Sequence, residues 1–447
     1  MNILVINGSP KGEYSITLQT VRYWEALHPE HSFQVLHAGQ RIKALEKDFT
    51  PAMDALEKAD AILFSYPVYT FMAPCQLHRF IELMKEHKAP VQGKYATQLT
   101  TSKHFYDVTA HRYIQENCHD MGMLTIRGLS ADMEDLLSEK GQKEAESFWQ
   151  YFCWAMEQGY HEEPTFSQPV INFTPATFAE DPIVEKPGNV VIVADLTKED
   201  KELDAMIRRF RAVFPRKTRV INLREYPFKG GCLGCFHCAS DGTCIYKDGF
   251  DRFLREEIQT AEAIVYAFSV KDHSMGALFK MYDDRQFCNG HRTVTLGSPV
   301  GYLIHGSYST ETNLQTVLEG RSQVGGNFLA GIATDEKNTD AAIDQLANTL
   351  QYALEKKLMQ PQNFYGVGGM KIFRDLIFQM RGLMKADHRF FKAHGQYDFP
   401  QKNRGTILKM QLVGALMSSP AVRQKMGNKM NEGMIAPYRK VLEKLNR

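Results

Sequence analysis

The sequence predicts an α/β chain: two tandem, doubly wound, five-stranded parallel sheets followed by a helical C-terminal extension. Three observations carry this. Short apolar, β-branched runs alternate with amphipathic stretches, the alternation occurs twice along 447 residues, and the second occurrence repeats residue patterns of the first. Continuous rather than every-other-residue hydrophobicity marks strands buried on both faces, and helices between such strands make the sheet parallel.

In the first copy the strand-like runs are 2–7, 33–37, 61–66, 95–100 and 123–126, and in the second they are 189–194, 218–223, 263–268, 300–305 and 328–333. Asn2-Ile-Leu-Val-Ile parallels Asn189-Val-Val-Ile-Val at a spacing of 187 residues, and Ala59-Asp-Ala-Ile-Leu-Phe-Ser65 parallels Ala261-Glu-Ala-Ile-Val-Tyr-Ala267 at a spacing of 202. The second copy therefore gains about 15 residues between its first and third strands. Five strands per copy suit the flavodoxin-like order better than a six-stranded dinucleotide-binding sheet. The expected divisions are 1–161, a linker at 162–187 holding Pro164, Pro169, Pro175, Pro182 and Pro187, a second domain at 188–360, and an extension at 361–447. In that extension Leu408, Leu412 and Leu416 form an apolar stripe expected to pack on the chain itself or on a second subunit of a homo-oligomer.

Composition narrows the function. Lys and Arg number 53 against 52 Asp and Glu, which gives no electrostatic case for nucleic acid. Met1-Asn-Ile-Leu-Val-Ile-Asn-Gly8 lacks the basic start and long apolar stretch of a secretory signal, so none is expected, and no run of about 18 apolar residues that could span a membrane occurs. The expected location is cytoplasmic, a reducing compartment where clustered cysteines are ligands or catalysts rather than disulfides. Cys75, Cys118, Cys153 and Cys288, each alone, read as small buried hydrophobes.

Three loops at the carboxyl ends of first-copy strands fit a flavin. In Gly8-Ser-Pro-Lys-Gly12 with Ser15 and Thr17, a strand runs into a helix whose unpaired N–H groups and positive dipole end suit a phosphate. Ser9, Lys11, Ser15 and Thr17 add donors without bulk. Pro67, Val68, Tyr69, Thr70 and Phe71 offer a stiff turn and aromatic faces for the ring, and Thr101, Ser102 and Lys103 offer hydroxyls and a charge. The matching first turn of the second copy, Ala194-Asp-Leu-Thr-Lys-Glu-Asp, is acidic and repels a phosphate.

The added residues of the second copy hold Cys232-Leu-Gly-Cys235-Phe-His-Cys238 and Cys244. Zinc ribbons split four cysteines into two separated pairs, whereas successive two-residue gaps with a fourth cysteine nearby are the style of iron–sulfur ligation. A [4Fe–4S] cluster is the leading expectation for Cys232, Cys235, Cys238 and Cys244; zinc and a metal-free thiol loop are the alternatives. His237 is expected on the solvent side of the run. Asp272 and His273 are candidates for proton transfer near the first copy's flavin, and Asp284 with Arg285 for a helix-capping pair.

Asn7-Gly-Ser-Pro-Lys with Ser15 and Thr17, together with Pro67-Val-Tyr, resembles the NAD(P)H-dependent FMN reductase branch of the flavodoxin-like superfamily. Gly231-Cys-Leu-Gly-Cys235 and Gly242-Thr-Cys-Ile-Tyr-Lys-Asp248 resemble the iron–sulfur flavoproteins of that branch, in which the run follows the second strand. The resemblance reaches to about residue 335 and implies FMN, a [4Fe–4S] cluster and NAD(P)H as a possible electron donor. It also implies a tandem duplication in which the phosphate turn is kept in one copy and the cysteines in the other. The expected function is electron transfer between a flavin and a cluster, serving a small-molecule or protein redox partner. The alternatives are a flavin or quinone reductase without a cluster, and a non-catalytic carrier docking through its tail.

Overall fold

The computed structural model describes residues 1–164, 171–177, 186–400 and 404–417. Contacts divide the chain into a compact unit Met1–Phe390 and a second unit Phe391–Arg447. The first unit contains two lobes. In the first lobe β1 (Asn2–Asn7), β2 (Ser32–Leu36), β3 (Ala61–Pro67), β4 (Tyr95–Ser102), β5 (Leu124–Thr125) and β6 (Leu129–Asp132) form one sheet in the order β2-β1-β3-β4, with β5 and β6 both on β4. In the second lobe β7 (Val190–Ala194), β8 (Thr218–Asn222), β9 (Ala263–Ser269), β10 (Pro299–His305) and β11 (Phe328–Thr334) take the order β8-β7-β9-β10-β11. All these pairings are parallel, so both lobes have the doubly wound 2-1-3-4-5 order that five strands per copy implied.

The fifth strand of the first lobe departs from the expected 123–126. It is broken in two, with β5 on Tyr95 and Ala96 and β6 on Leu99–Ser102. Gly128 lies in the break, where an added Cβ would sit 2.5 Å from the Gln98 carbonyl oxygen. The chain passes too close to β4 there for a regular ladder.

Alternate residues of each central strand feed opposite cores. Ile3, Val5 and Leu63 face outward to Trp24 and Trp149, while Leu4, Ile6, Ile62 and Phe64 face a core that continues into the second lobe through Leu77, Phe80, Phe279 and Tyr282. The helices that define the site are α1 (Ile16–Leu27), α2 (Cys75–Glu86), α3 (Asp107–Asp120), α4 (Gly276–Arg285), α5 (Thr312–Gly325) and α6 (Phe364–Gln379). Equivalent helices meet across the lobe boundary, α2 on α4 and α3 on α5, as in a two-fold dimer. The repeat extends to single residues at the spacing of 202. Asp284 Oδ2 accepts from the Cys75 amide at 2.8 Å, and its counterpart Glu82 accepts, through Oε1, from the Ala277 amide at 2.8 Å. Each lobe thus caps the other's helix. Thr70 and Phe71 are left-handed, with φ of 46° and 71°, and so are their counterparts Asp272 and His273, at 49° and 61°.

Helix α6 packs on α5, with the Gln362 side chain donating to the Gln323 carbonyl at 2.9 Å, so the compact unit continues past residue 360. In the linker, the Thr174 amide donates to the Asp335 carbonyl at 2.7 Å and the Phe173 ring lies 5.7 Å from His305 at a tilt of 51°, laying this segment over the carboxyl ends of β10 and β11. Pro169 and Pro182 lie outside the described residues. In the second unit, helix Arg404–Met417 leaves Leu408 and Leu412 exposed; the Leu416 side chain is outside the described residues. Among the described residues no helix is long and apolar enough to cross a membrane.

Candidate active site

All three first-lobe loops open into one cavity of about 420 Å³. Ser9, Lys11, Ser15 and Thr17 line it from the turn after β1; Pro67, Val68, Tyr69, Thr70 and Phe71 from the turn after β3; Thr101, Ser102 and Lys103 from the end of β4. The β1 turn is tightened by the Lys11 amide on Ser9 Oγ (3.3 Å) and by the Ser15 amide on the Gly12 carbonyl (3.1 Å). Ser15 is the N-cap of α1, yet its hydroxyl does not cap the helix, so the first-turn amides keep their donor capacity toward the cavity. Ser9, Ser15 and Thr17 are buried, Thr17 Oγ1 lies 2.6 Å from Thr101 Oγ1, and the buried Ser102 hydroxyl has no hydrogen-bond partner. Helix-end amides beside buried hydroxyls fit an anionic group such as a phosphate. Lys103, by contrast, is engaged with Asp132 at 3.0 Å.

The second lobe holds the β3 turn in place. Lys280 Nζ donates to the Tyr69 carbonyl at 2.9 Å and to Thr70 Oγ1 at 2.6 Å, and it pairs with Asp284, which also accepts from Thr70 Oγ1 at 3.0 Å. Lys280 and Asp284 are fully buried. Burial pushes the Asp284 carboxyl up, while the Lys280 charge pulls against that. Two left-handed residues in succession are costly outside glycine, and this pair of second-lobe groups fixes them.

Cys232, Cys235, Cys238 and Cys244 line the same cavity from the opposite side, in the loop between β8 and β9. The loop meets the first lobe closely. A Cβ at Gly231 would lie 2.2 Å from Cys75 Sγ, one at Gly234 2.0 Å from the Tyr69 hydroxyl, and Gln76 Nε2 donates to the Cys232 carbonyl at 3.1 Å. Arg285 organises the loop from beneath. Its guanidinium donates to the Gly230 carbonyl (2.8 Å) and to both Asp248 oxygens (2.8 and 2.9 Å), reaches Cys244 Sγ at 3.7 Å, and stacks over Tyr246 at 4.7 Å. Cys238 Sγ donates to the Phe287 carbonyl at 3.1 Å. Burial pushes the Cys238 thiol up to about 11, with Cys235 and Cys244 adding to it. His237 is exposed at the rim. Among the described residues, Glu116, His273 and Glu311 form the one set of three His, Cys, Asp or Glu ligand atoms within 4.8 Å of one another. No three of the four loop cysteine sulfurs lie within 4.8 Å of one another.

Two sequence expectations are corrected here. Asp284 and Arg285 do not pair with each other: Asp284 pairs with Lys280 and caps α2, and Arg285 pairs with Asp248. Asp272 and His273 do not line the cavity. Asp272 pairs with Lys85 at 3.0 Å, and His273 sits between Asp120 (2.9 Å) and Glu311 (3.0 Å) at the lobe boundary. Burial alone would lower the His273 pKa, but its bonds to those two carboxylates push it up to about 10. Lys280 carries no local motif; aligning the two copies at a spacing of 202 would have paired Asp284 with Glu82 and pointed to the lobe boundary.

Two doubly wound sheets that share a cavity at their strand ends, walled by hydroxyls, aromatics and thiols, define a flavodoxin-like protein of the oxidoreductase class. Residues 1–133 match the family described as NADPH-dependent FMN reductase. An iron-sulfur flavoprotein from Archaeoglobus fulgidus is 25% identical over 175 residues, covering 37% of this chain and 78% of that protein. Among solved structures, the apo form of an NADH:FMN oxidoreductase is 20% identical, covering 37% of this chain and 92% of that one, with a TM-score of 0.30. A flavoenzyme NAD(P)H:(acceptor) oxidoreductase from Paracoccus denitrificans is 16% identical, covering 35% and 97%, with a TM-score of 0.29.

Proposed function

We propose that the chain is an FMN-dependent oxidoreductase that takes electrons from NAD(P)H and passes them between a flavin held by the first lobe and a [4Fe–4S] cluster held by the second. The observation that carries this reading is the shared cavity: the phosphate turn and both flavin loops line one side, and Cys232, Cys235, Cys238 and Cys244 the other. When bound, the flavin supplies two-electron chemistry with NAD(P)H and the cluster supplies one-electron transfer.

The chain's own residues bind and position. The α1 amides with Ser9, Ser15 and Thr17 hold the phosphate, and Lys11 adds charge at the rim. Lys280 and Asp284 fix the β3 turn, presenting Tyr69 and Phe71 to the ring. Arg285 holds the cysteine loop through the Gly230 carbonyl and Asp248 and reaches Cys244 Sγ at 3.7 Å. Gly234 lets that loop close on the Tyr69 hydroxyl. The successive two-residue gaps of the cysteine run and the iron-sulfur flavoprotein relative support a cluster over zinc.

The Cys235→Ser variant tests the division of labour. We expect it to lose iron and sulfide while keeping FMN and NAD(P)H oxidation with a small flavin or quinone acceptor. Full retention of iron and sulfide would overturn the ligand assignment. A wild-type protein with FMN but no iron under anaerobic conditions would leave a flavin or quinone reductase.

A further inference from the structure

The cavity does not end at the cysteine loop. It continues into the second lobe, between the sheet face carrying Tyr266 and Tyr302 and the helices α4 and α5, and it is bounded by α6 and Asp387. None of this inner part comes from the first-lobe strand-end loops. Its walls are aromatic: Tyr266 and Tyr302 rings lie 5.3 Å apart, and His291 lies 4.5 Å from Phe373 and 6.3 Å from Phe287.

Its polar groups are unusual for a protein interior. Asp387 is 1% exposed and Asp283 5%, yet Oδ2 of each has no hydrogen-bond partner, and neither has His291 Nδ1. Buried polar atoms are nearly always satisfied, and each exception is costly unless something else meets it. The carboxylates are nonetheless not free charges. Asp283 pairs with Arg321 at 2.5 Å and has Lys280 at 3.6 Å, while Asp387 Oδ1 accepts from the His291 amide at 2.9 Å and has Arg292 at 3.9 Å. Asp387 is neutralised on its Oδ1 side, Asp283 has a cation near each oxygen, and Oδ2 of both carboxylates keeps an acceptor with no hydrogen bond. Burial holds His291 neutral by lowering its pKa to about 4, so the imidazole adds no further charge to the chamber. A cation would find its charge already balanced, and an anion would meet acceptors. The complement is a neutral ligand with hydrogen-bond donors on an apolar, flat body.

We propose that this inner chamber is a second binding site, distinct from the flavin loops, for a small aromatic ring bearing hydroxyl groups, of the phenol or diphenol class. The ring packs among Tyr266, Tyr302 and Phe373, and its hydroxyls donate to Asp283 and Asp387. This site does not depend on the flavin or the cluster being present.

The test is equilibrium dialysis of the purified full-length protein with resorcinol, in the presence and absence of saturating FMN. We expect one saturable site whose affinity is the same with and without FMN. Asp387→Asn and Asp283→Asn, which replace an acceptor oxygen by a donor, should each weaken resorcinol at least tenfold with FMN binding unchanged. Leu376→Trp, which fills the chamber from α6, should abolish it without touching either carboxylate. Absence of saturable binding, displacement of resorcinol by FMN, or unchanged affinity in all three variants would overturn the proposal. Loss of FMN binding in the wild type would instead count against the flavin assignment and leave the chamber's resorcinol result standing.

Discussion

Lys280 shows how much of the site rests on one side chain of the other lobe. Its ammonium is fully buried, and it holds the Tyr69 carbonyl, the Thr70 hydroxyl and the Asp284 carboxylate together. Removing one partner of a buried pair strands the other, which costs about 3–5 kcal/mol. Lys280→Met is therefore expected to destabilise the protein by about that much in urea titration and to weaken FMN at least tenfold, since the left-handed Thr70–Phe71 turn loses its brace. An unchanged FMN affinity in folded K280M protein would show that the turn holds itself. Sequence could nominate Tyr69 and Thr70 because a proline-flanked turn at a strand end is a local pattern. It could not nominate Lys280 as the brace of that turn, because the first-lobe partners Tyr69 and Thr70 lie about 210 residues away. Arg285 was visible as a charge, but its partner was not: adjacency suggested Asp284, whereas the helix turns Arg285 toward Asp248 and the cysteine loop.

At the scale of elements, the cysteine loop and the β3 turn are built against each other. Gly234 has φ of 58°, and any Cβ there would meet the Tyr69 hydroxyl at 2.0 Å. Gly234→Ala combines left-handed strain of roughly 1 kcal/mol with a clash that must move the loop or the tyrosine. Its expected signature is local: lower iron retention and altered flavin absorbance, with a melting temperature within about 8 °C of wild type. A variant with wild-type iron content and flavin spectrum would mean that the contact is incidental. The strand order was legible because buried parallel strands advertise themselves as continuous apolar runs. The break between β5 and β6 was not, since Gly128 matters there through its distance from Gln98 in another strand.

Across the whole molecule, the lobe boundary carries a pH dependence. His273 bridges Asp120 and Glu311, and these bonds outweigh its burial to push its pKa up to about 10. A histidine raised above its unfolded value stabilises fully below about pH 6.5, and the contribution is lost as pH rises toward 10. Stability is expected to fall by a few kcal/mol between about pH 7 and pH 10. His273→Asn should be less stable at pH 7 and flatten that slope; an identical slope in both proteins would exclude His273 as its source. The tandem plan was legible from two spacings, but the swapped helix caps of Asp284 and Glu82 became visible only once the copies faced each other.

The central claim is that one chain joins a flavin on its first lobe to an iron–sulfur cluster on its second. Its most direct test is the visible spectrum of anaerobically purified protein, with FMN, iron and acid-labile sulfide counted per chain. About one FMN, four irons and four sulfides are expected for one [4Fe–4S] cluster beside one flavin site. One FMN with no iron or sulfide, in protein never exposed to air, would contradict the account and reduce the cysteine loop to structure.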